Sequence, residues 1–227
     1  MAPDGSLWIA GDFQAEVVVG GKTLASRGNS DVLLAHVTAD GAAIGAYSFG
    51  SYFHDFAVGV AVDAAGGPVV IGSFEQSIDF GGGELKGVKK KDMFLARFDA
   101  NGAHLWSKAF GGRDDDVGGG VAVDAHGDVI ATGWFWHGVD FGTGRLDSAG
   151  DSDIVVAKYA PNGEPIWARR FGDAGADFGR AVAVGPDGAA AVAGTFRGTV
   201  DFGGGPLTFA GERKGAKGDA FVAVFGP

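Results

Sequence analysis

Two tryptophans and a nearby group of carboxylates are the residues of this chain best suited to bind a ligand together. Trp134 and Trp136 flank an apolar Phe135, and His137 follows directly. Alternate residues of a strand point to one face, so both indoles would share a side. Such a pair can stack on the apolar face of a sugar while carboxylates accept its hydroxyl groups. The candidate ligand-binding residues are Trp134, Trp136, His137, Asp114, Asp115 and Asp116.

In the other repeats, the positions equivalent to Trp134 and Trp136 carry polar residues, which predicts that both rings are exposed. The counterparts are Asp12, Ser73 and Thr195 for Trp134, and Gln14, Glu75 and Arg197 for Trp136. The alternative interpretation is structural: the rings pack beneath their own loop or against a neighbouring repeat.

A second set of carboxylates, Asp55, Asp116 and Asp177, recurs at intervals of 61 residues. If the repeats are arranged around a central channel, these carboxylates would form a ring at its mouth and could hold Ca²⁺ through hard oxygen ligands. A side chain that recurs in every repeat is more typical of a structural role, in which each Asp accepts from backbone N–H groups of a turn. Apart from this Ca²⁺ site, no cofactor is expected.

Motifs of catalysis are absent from the sequence. None of the five histidines has HExxH spacing, and there is no GxSxG nucleophile motif. No catalytic residue is therefore predicted. A glycoside hydrolase or lyase stays open as an alternative because a glycosidase needs only two carboxylates at a suitable separation.

The whole chain is built on one period, which must position these residues. Glycines, phenylalanines and leucines recur every 61 residues; the glycines are Gly11, Gly72, Gly133 and Gly194. One full unit reads as four strands, with tight turns at Gly127 and at Asn162-Gly163. No window has helical periodicity. Four strands in hairpin succession describe one propeller blade, so we predict an all-β propeller of 61-residue, four-stranded blades.

The repeat boundaries divide the chain into about 3.7 units: a partial blade 1–50, blades 51–111 and 112–172, and a partial blade 173–227. The first unit lacks its inner strand and the last lacks its outer strand, while the last unit carries a five-residue insertion within Glu212 to Gly218. Broken blades expose unpaired backbone. The expectation is one propeller domain or a fragment of a longer propeller, or association of copies that complete each other's blades.

Composition narrows the partners. The net charge of -10 argues against nucleic acid and anionic membranes. No apolar run approaches the roughly 20 residues of a membrane-spanning helix, and the first residues do not form a signal peptide. Two basic clusters, Lys89 to Lys91 and Arg213, Lys214, Lys217, could receive an acidic partner or a polysaccharide, although solvated loop tips are the commoner role.

The segments VAVDAHGDVIATGWF, VDFGTGRL and SDIVVAKYAPNGEPIWARRFG resemble the bacterial seven-bladed β-propeller (SBBP) repeat family and, more distantly, the NHL repeat. The resemblance implies a propeller from an exported or cell-surface bacterial protein, with no family catalytic motif to carry over. In such a blade, the long connections between the second and third strands and the connections between blades share one face, the long-loop face. We expect a non-catalytic binding module that presents this long-loop face to a protein or glycan. The alternatives are the carbohydrate-active enzyme and a structural spacer within a longer surface protein.

Overall fold

The computed structural model describes residues 1–211 and 218–227, and these contain eighteen strands and no helix. The strands are β1 (Leu7–Phe13), β2 (Glu16–Val19), β3 (Lys22–Ala25), β4 (Asp31–Val37), β5 (Ala43–Phe49), β6 (Phe56–Val62), β7 (Pro68–Asp79), β8 (Glu84–Phe98), β9 (His104–Phe110), β10 (Val117–Val123), β11 (Val129–Asp140), β12 (Arg145–Tyr159), β13 (Pro165–Phe171), β14 (Phe178–Val184), β15 (Ala190–Phe196), β16 (Thr199–Asp201), β17 (Pro206–Thr208) and β18 (Asp219–Phe225). The all-β prediction is confirmed. The basic residues Arg213, Lys214 and Lys217 lie outside the described residues.

The strands form four antiparallel sheets that follow chain order. Sheet 1 contains β1, β4 and β5; sheet 2 contains β6 to β9; sheet 3 contains β10 to β13; and sheet 4 contains β14, β15 and β18. Two short hairpins, β2–β3 and β16–β17, accompany sheets 1 and 4. In sheets 2 and 3 the same hairpin is a continuation of the two middle strands, so β11 runs without a break from Val129 to Asp140.

Tight turns at one end of each sheet explain the regular period. Gly127 has φ 83°, and its N–H donates to the Asp124 carbonyl at 3.0 Å. The Asp124 carboxylate accepts from the backbone N–H groups of His126 and Asp128 at 2.9 and 3.0 Å. Because Asp favours such turns and Gly tolerates positive φ, this short sequence fixes the hairpin between β10 and β11.

Consecutive sheets pack face to face through three apolar clusters. A set of three aromatic rings recurs in each junction, two of them from the later sheet and its hairpin. The sets are Phe49, Phe80, Phe98; Phe110, Phe141, Tyr159; and Phe171, Phe202, Phe225. In each set the first ring lies 5.0–5.6 Å from both others, centroid to centroid. Side chains from two consecutive sheets therefore contact each other at each junction.

Candidate functional site

One pocket gathers most of the residues that the sequence singled out for ligand binding. It has a volume of about 440 Å³ and is lined by Lys90, Asp114, Asp115, Trp134, Trp136, His137 and Phe178. We call it the tryptophan pocket. Its residues come from β8, the connection between β9 and β10, β11, and the first residue of β14. Sheets 2, 3 and 4 therefore all contribute to it.

A β-bulge at the end of the core part of β11 places His137 in the tryptophan pocket. The pairing of β11 with β12 shifts between Trp136 and Gly138, which leaves His137 without a cross-strand partner at φ 57°. The corresponding Gln76 and Gly198 also have positive φ, 65° and 76°. A bulge re-aims the side chain of its extra residue. Here the His137 side chain reaches Asp114, on the connection from sheet 2 to sheet 3.

The buried carboxylate of Asp116 anchors that connection to β11. Its Oδ2 accepts from the backbone N–H of Gly112 at 2.7 Å, and its Oδ1 accepts from the N–H of Trp136 at 3.0 Å. Burial raises the pKa of Asp116 to about 7, against the opposing effect of the two hydrogen bonds. Asp116 does not line the tryptophan pocket but fixes Asp114 and Asp115 beside Trp136.

Asp114 is the polar centre of the tryptophan pocket. Its Oδ1 accepts from Lys90 Nζ at 2.5 Å, and its Oδ2 lies 3.0 Å from His137 Nε2. The hydrogen bond from Lys90 lowers the pKa of Asp114, and the same bond raises the pKa of Lys90. The neighbouring Asp115 accepts through Oδ1 from the Lys91 N–H at 3.3 Å, and its Oδ2 has no protein donor among the described residues. The pocket thus presents an oriented cation, an imidazole and an acceptor oxygen.

The two tryptophans are half-buried rather than exposed. Trp134 meets the ring of Phe178 edge to face, with 5.3 Å between centroids and an interplanar angle of 86°. Its Nε1 is buried and has no acceptor among the described residues, so apolar packing alone holds this ring. Trp134 therefore combines both interpretations drawn from the sequence, because it packs against the next sheet and also lines the pocket.

Asp55 and Asp177, the other members of the recurrent set, do not reach the tryptophan pocket. Asp55 accepts from the backbone N–H groups of Ser51 and Glu75 at 2.7 and 3.2 Å, as Asp116 does in the next unit. Asp177 accepts in the same way from Asp173 and Arg197 at 3.1 and 2.8 Å. Burial raises the pKa of Asp55 to about 6 and raises that of Asp177. These contacts match the structural role considered for the set.

The part of the chain that the structure describes has no group of three or more His, Asp or Glu side chains arranged to hold a metal ion. The Ca²⁺ site at Asp55, Asp116 and Asp177 stays a prediction. No helix of the described residues is long and apolar enough to cross a membrane.

Sequence reasoning missed two residues of the tryptophan pocket. Lys90 was noticed only as part of a basic cluster, and Phe178 was not singled out. Phe178 directly follows the recurrent Asp177, at the position that Phe56 and Val117 occupy in earlier units, but no signal in the sequence indicated its contact with Trp134 of another unit. No signal in the sequence joined Lys90 to Asp114, because they belong to different units.

No protein-family model matches this chain, and no curated protein matches it. Among solved structures, it is similar to the crystal structure of a protein of unknown function from Bacteroides caccae. The identity is 12%, with 78% of this chain and 69% of that chain covered, and the TM-score is 0.36. This likeness is too low to carry an argument about fold or function.

Proposed function

We propose that this chain is a non-catalytic binding module, part of a β-propeller of surface or exported origin, whose tryptophan pocket binds a sugar unit of a glycan. The 61-residue period, the antiparallel sheets and their face-to-face junctions support the propeller. The observation that carries the binding proposal is the joint presence of Trp134, Trp136 and Asp115 in one pocket of about 440 Å³.

The chemistry of the tryptophan pocket fits a sugar ring. Trp136 offers an aromatic face for the apolar C–H side of the ring, which a flat aromatic surface contacts well. Asp115 Oδ2 can accept from a hydroxyl, while Lys90 and His137 are already held in place by Asp114. Since these groups are oriented before the ligand arrives, binding loses less side-chain entropy than at a disordered site. The volume lies within the usual range of small-ligand pockets.

The site also explains why a protein ligand is the less favoured partner. Specific protein interfaces bury about 800 Å² on each side, with a large contiguous contact area. The tryptophan pocket instead offers a small concave site with a few convergent polar groups, which is typical of small-molecule recognition.

A panel of soluble polysaccharides and oligosaccharides, titrated calorimetrically into the wild-type chain, tests this proposal. We expect one glycan class to bind and Trp136→Ala to weaken it about 30-fold, since truncating a central aromatic typically costs about 2 kcal/mol. Tyr52→Ala is the matched control, because Tyr52 is an exposed aromatic outside the pocket. Its affinity should equal that of the wild type.

Three outcomes would overturn the proposal in different ways. If no glycan binds, the binding module is contradicted and the spacer alternative is favoured. If Trp136→Ala binds as well as wild type, the glycan site lies elsewhere. If reducing sugars are released from the panel, the enzyme alternative replaces the non-catalytic module.

A further inference from the structure

We infer that the outer face of sheet 4 binds the outer face of sheet 1 on a second copy of this chain, so that copies associate head to tail. The outer face of sheet 4 is the side of β18 that carries Val222 and Val224, which we call the tail face. The outer face of sheet 1 is the side of β1 that carries Leu7 and Ile9, which we call the head face.

Val222 on the tail face occupies a position that is fully buried in every other unit. The counterparts of Val222, allowing for the five-residue insertion, are Leu34, Leu95 and Val156, each 0% exposed. Leu34 packs in the junction with sheet 2, Leu95 in the junction with sheet 3 and Val156 in the junction with sheet 4. Val222 occupies the same position of its sheet but is 72% exposed.

The head face repeats the opposite side of the same junctions. Ile9 corresponds to Val70, Ala131 and Val192. These three pack against sheets 1, 2 and 3 and are at most 3% exposed. Ile9, in contrast, is 49% exposed. The two faces therefore correspond to the two sides of the contact that the chain makes three times internally, although among the described residues sheet 1 has no counterpart of β6 and sheet 4 has no counterpart of β9.

The tail face is apolar at a position where the earlier sheets carry a basic residue, although it is exposed to solvent. At the position of Val224 the earlier sheets carry His36, Arg97 and Lys158. Arg97 pairs with Asp63, and Lys158 pairs with Asp124. In sheet 4 the basic residue is replaced by Val224, which is 69% exposed, and the acidic residue by Gly185. An apolar patch left in water is a common mark of an interaction surface.

The occupant that fits the tail face is the head face, since the counterparts of Val222 and of Ile9 pack in the same cluster at each internal junction. The two faces differ, so the contact is heterologous and each copy keeps one free face until a ring closes. A second copy supplies the head face without requiring any other protein. This inference does not depend on the proposed glycan binding.

Light scattering on a sizing column measures the association. We expect a wild-type mass of twice 22.9 kDa or a higher multiple. The variant Val222→Asp/Val224→Asp should elute at the mass of one copy, because both side chains are exposed in the single chain and only association would bury the new carboxylates. Val88→Asp is the control: Val88 is 59% exposed on β8, away from both faces, and its mass should match the wild type.

A mixing experiment separates the head-to-tail contact from a symmetric one. Ile9→Asp and Val222→Asp/Val224→Asp each spoil one face, so each alone should be a single copy. Mixed in equal amounts, they should form a dimer of twice 22.9 kDa through the intact tail of the first and the intact head of the second. A wild-type mass of one copy at high concentration, a variant that keeps the wild-type mass, or a mixture that stays monomeric would each overturn the inference.

Discussion

The buried ion pair between Arg97 and Asp63 provides a quantitative test of how the sheets are joined. Arg97 on β8 is 6% exposed, and its Nη2 lies 2.7 Å from Asp63 Oδ2. Its Nη1 donates to the Gly127 carbonyl at 2.8 Å and to the Pro161 carbonyl at 3.3 Å. Both carbonyls belong to turns of sheet 3. The guanidinium therefore connects two turns of the next sheet to a turn of its own.

Arg97→Met removes all three contacts and leaves the Asp63 charge buried. Removing one partner of a buried ion pair typically costs 3–5 kcal/mol. Asp63 retains two backbone hydrogen bonds through Oδ1, from Ala65 at 2.9 Å and Gly67 at 2.8 Å, which compensate part of the charge. We therefore expect a loss of about 3 kcal/mol in the free energy of unfolding, at the lower end of that range.

Urea unfolding followed by circular dichroism measures the loss, and two variants serve as references. Arg113→Met changes an exposed arginine and should shift the free energy of unfolding by less than about 0.5 kcal/mol. Arg97→Met/Asp63→Asn should recover more than about 1 kcal/mol of the single-variant loss, because no uncompensated charge remains. An Arg97→Met variant as stable as Arg113→Met would refute this account of the junction.

Two further perturbations test the sheet contacts and the anchoring carboxylate. Gly119→Ala should destabilise the chain by several kcal/mol in the same urea assay, because the added Cβ would lie 2.1 Å from the backbone oxygen of Gly179. Gly204→Ala is the control and should leave the stability nearly unchanged, because there is open space around its Cβ. Equal stability of the two variants would contradict the close approach of β10 to β14. Burial raises the pKa of Asp116 from 3.8 to about 7, so the carboxyl group binds its proton more tightly in the folded chain than in the unfolded chain. The protonated Asp116 therefore contributes to stability below pH 3.8, and this contribution is lost as the pH rises to about 7. Asp116→Asn should reduce the pH dependence of the free energy of unfolding across that window, and an unchanged slope would show that Asp116 does not titrate there.

Within one unit, the sequence was sufficient for the order of the strands and for the turns between them. The period of 61 residues and the turn residues, such as Gly127, predicted the strand order, and the recurrence of Asp55, Asp116 and Asp177 favoured the backbone contacts that these carboxylates make. A sequence period shows which residues are equivalent in different units, but it does not show how far apart the residues of two units lie. The contact of Lys90 with Asp114 depends on how sheets 2 and 3 pack, so it could not be read from the sequence.

The same limit explains the tryptophans. Polar counterparts in other units predicted exposed rings, but Trp134 is half-buried because Phe178 of sheet 4 lies against it. The bulge at His137 left a trace in the sequence, since the equivalent Gly198 is the residue type that favours positive φ. That trace became interpretable only with the pairing of β11 and β12.

The most direct test of the tryptophan pocket is the NMR spectrum of the five indole N–H groups during titration with a binding glycan. We expect the signals of Trp134 and Trp136 to shift with ligand concentration. Trp8, Trp106 and Trp167 lie outside the pocket, so their signals should not shift. Shifts confined to the latter three, with Trp134 and Trp136 unmoved at saturation, would contradict the proposed site.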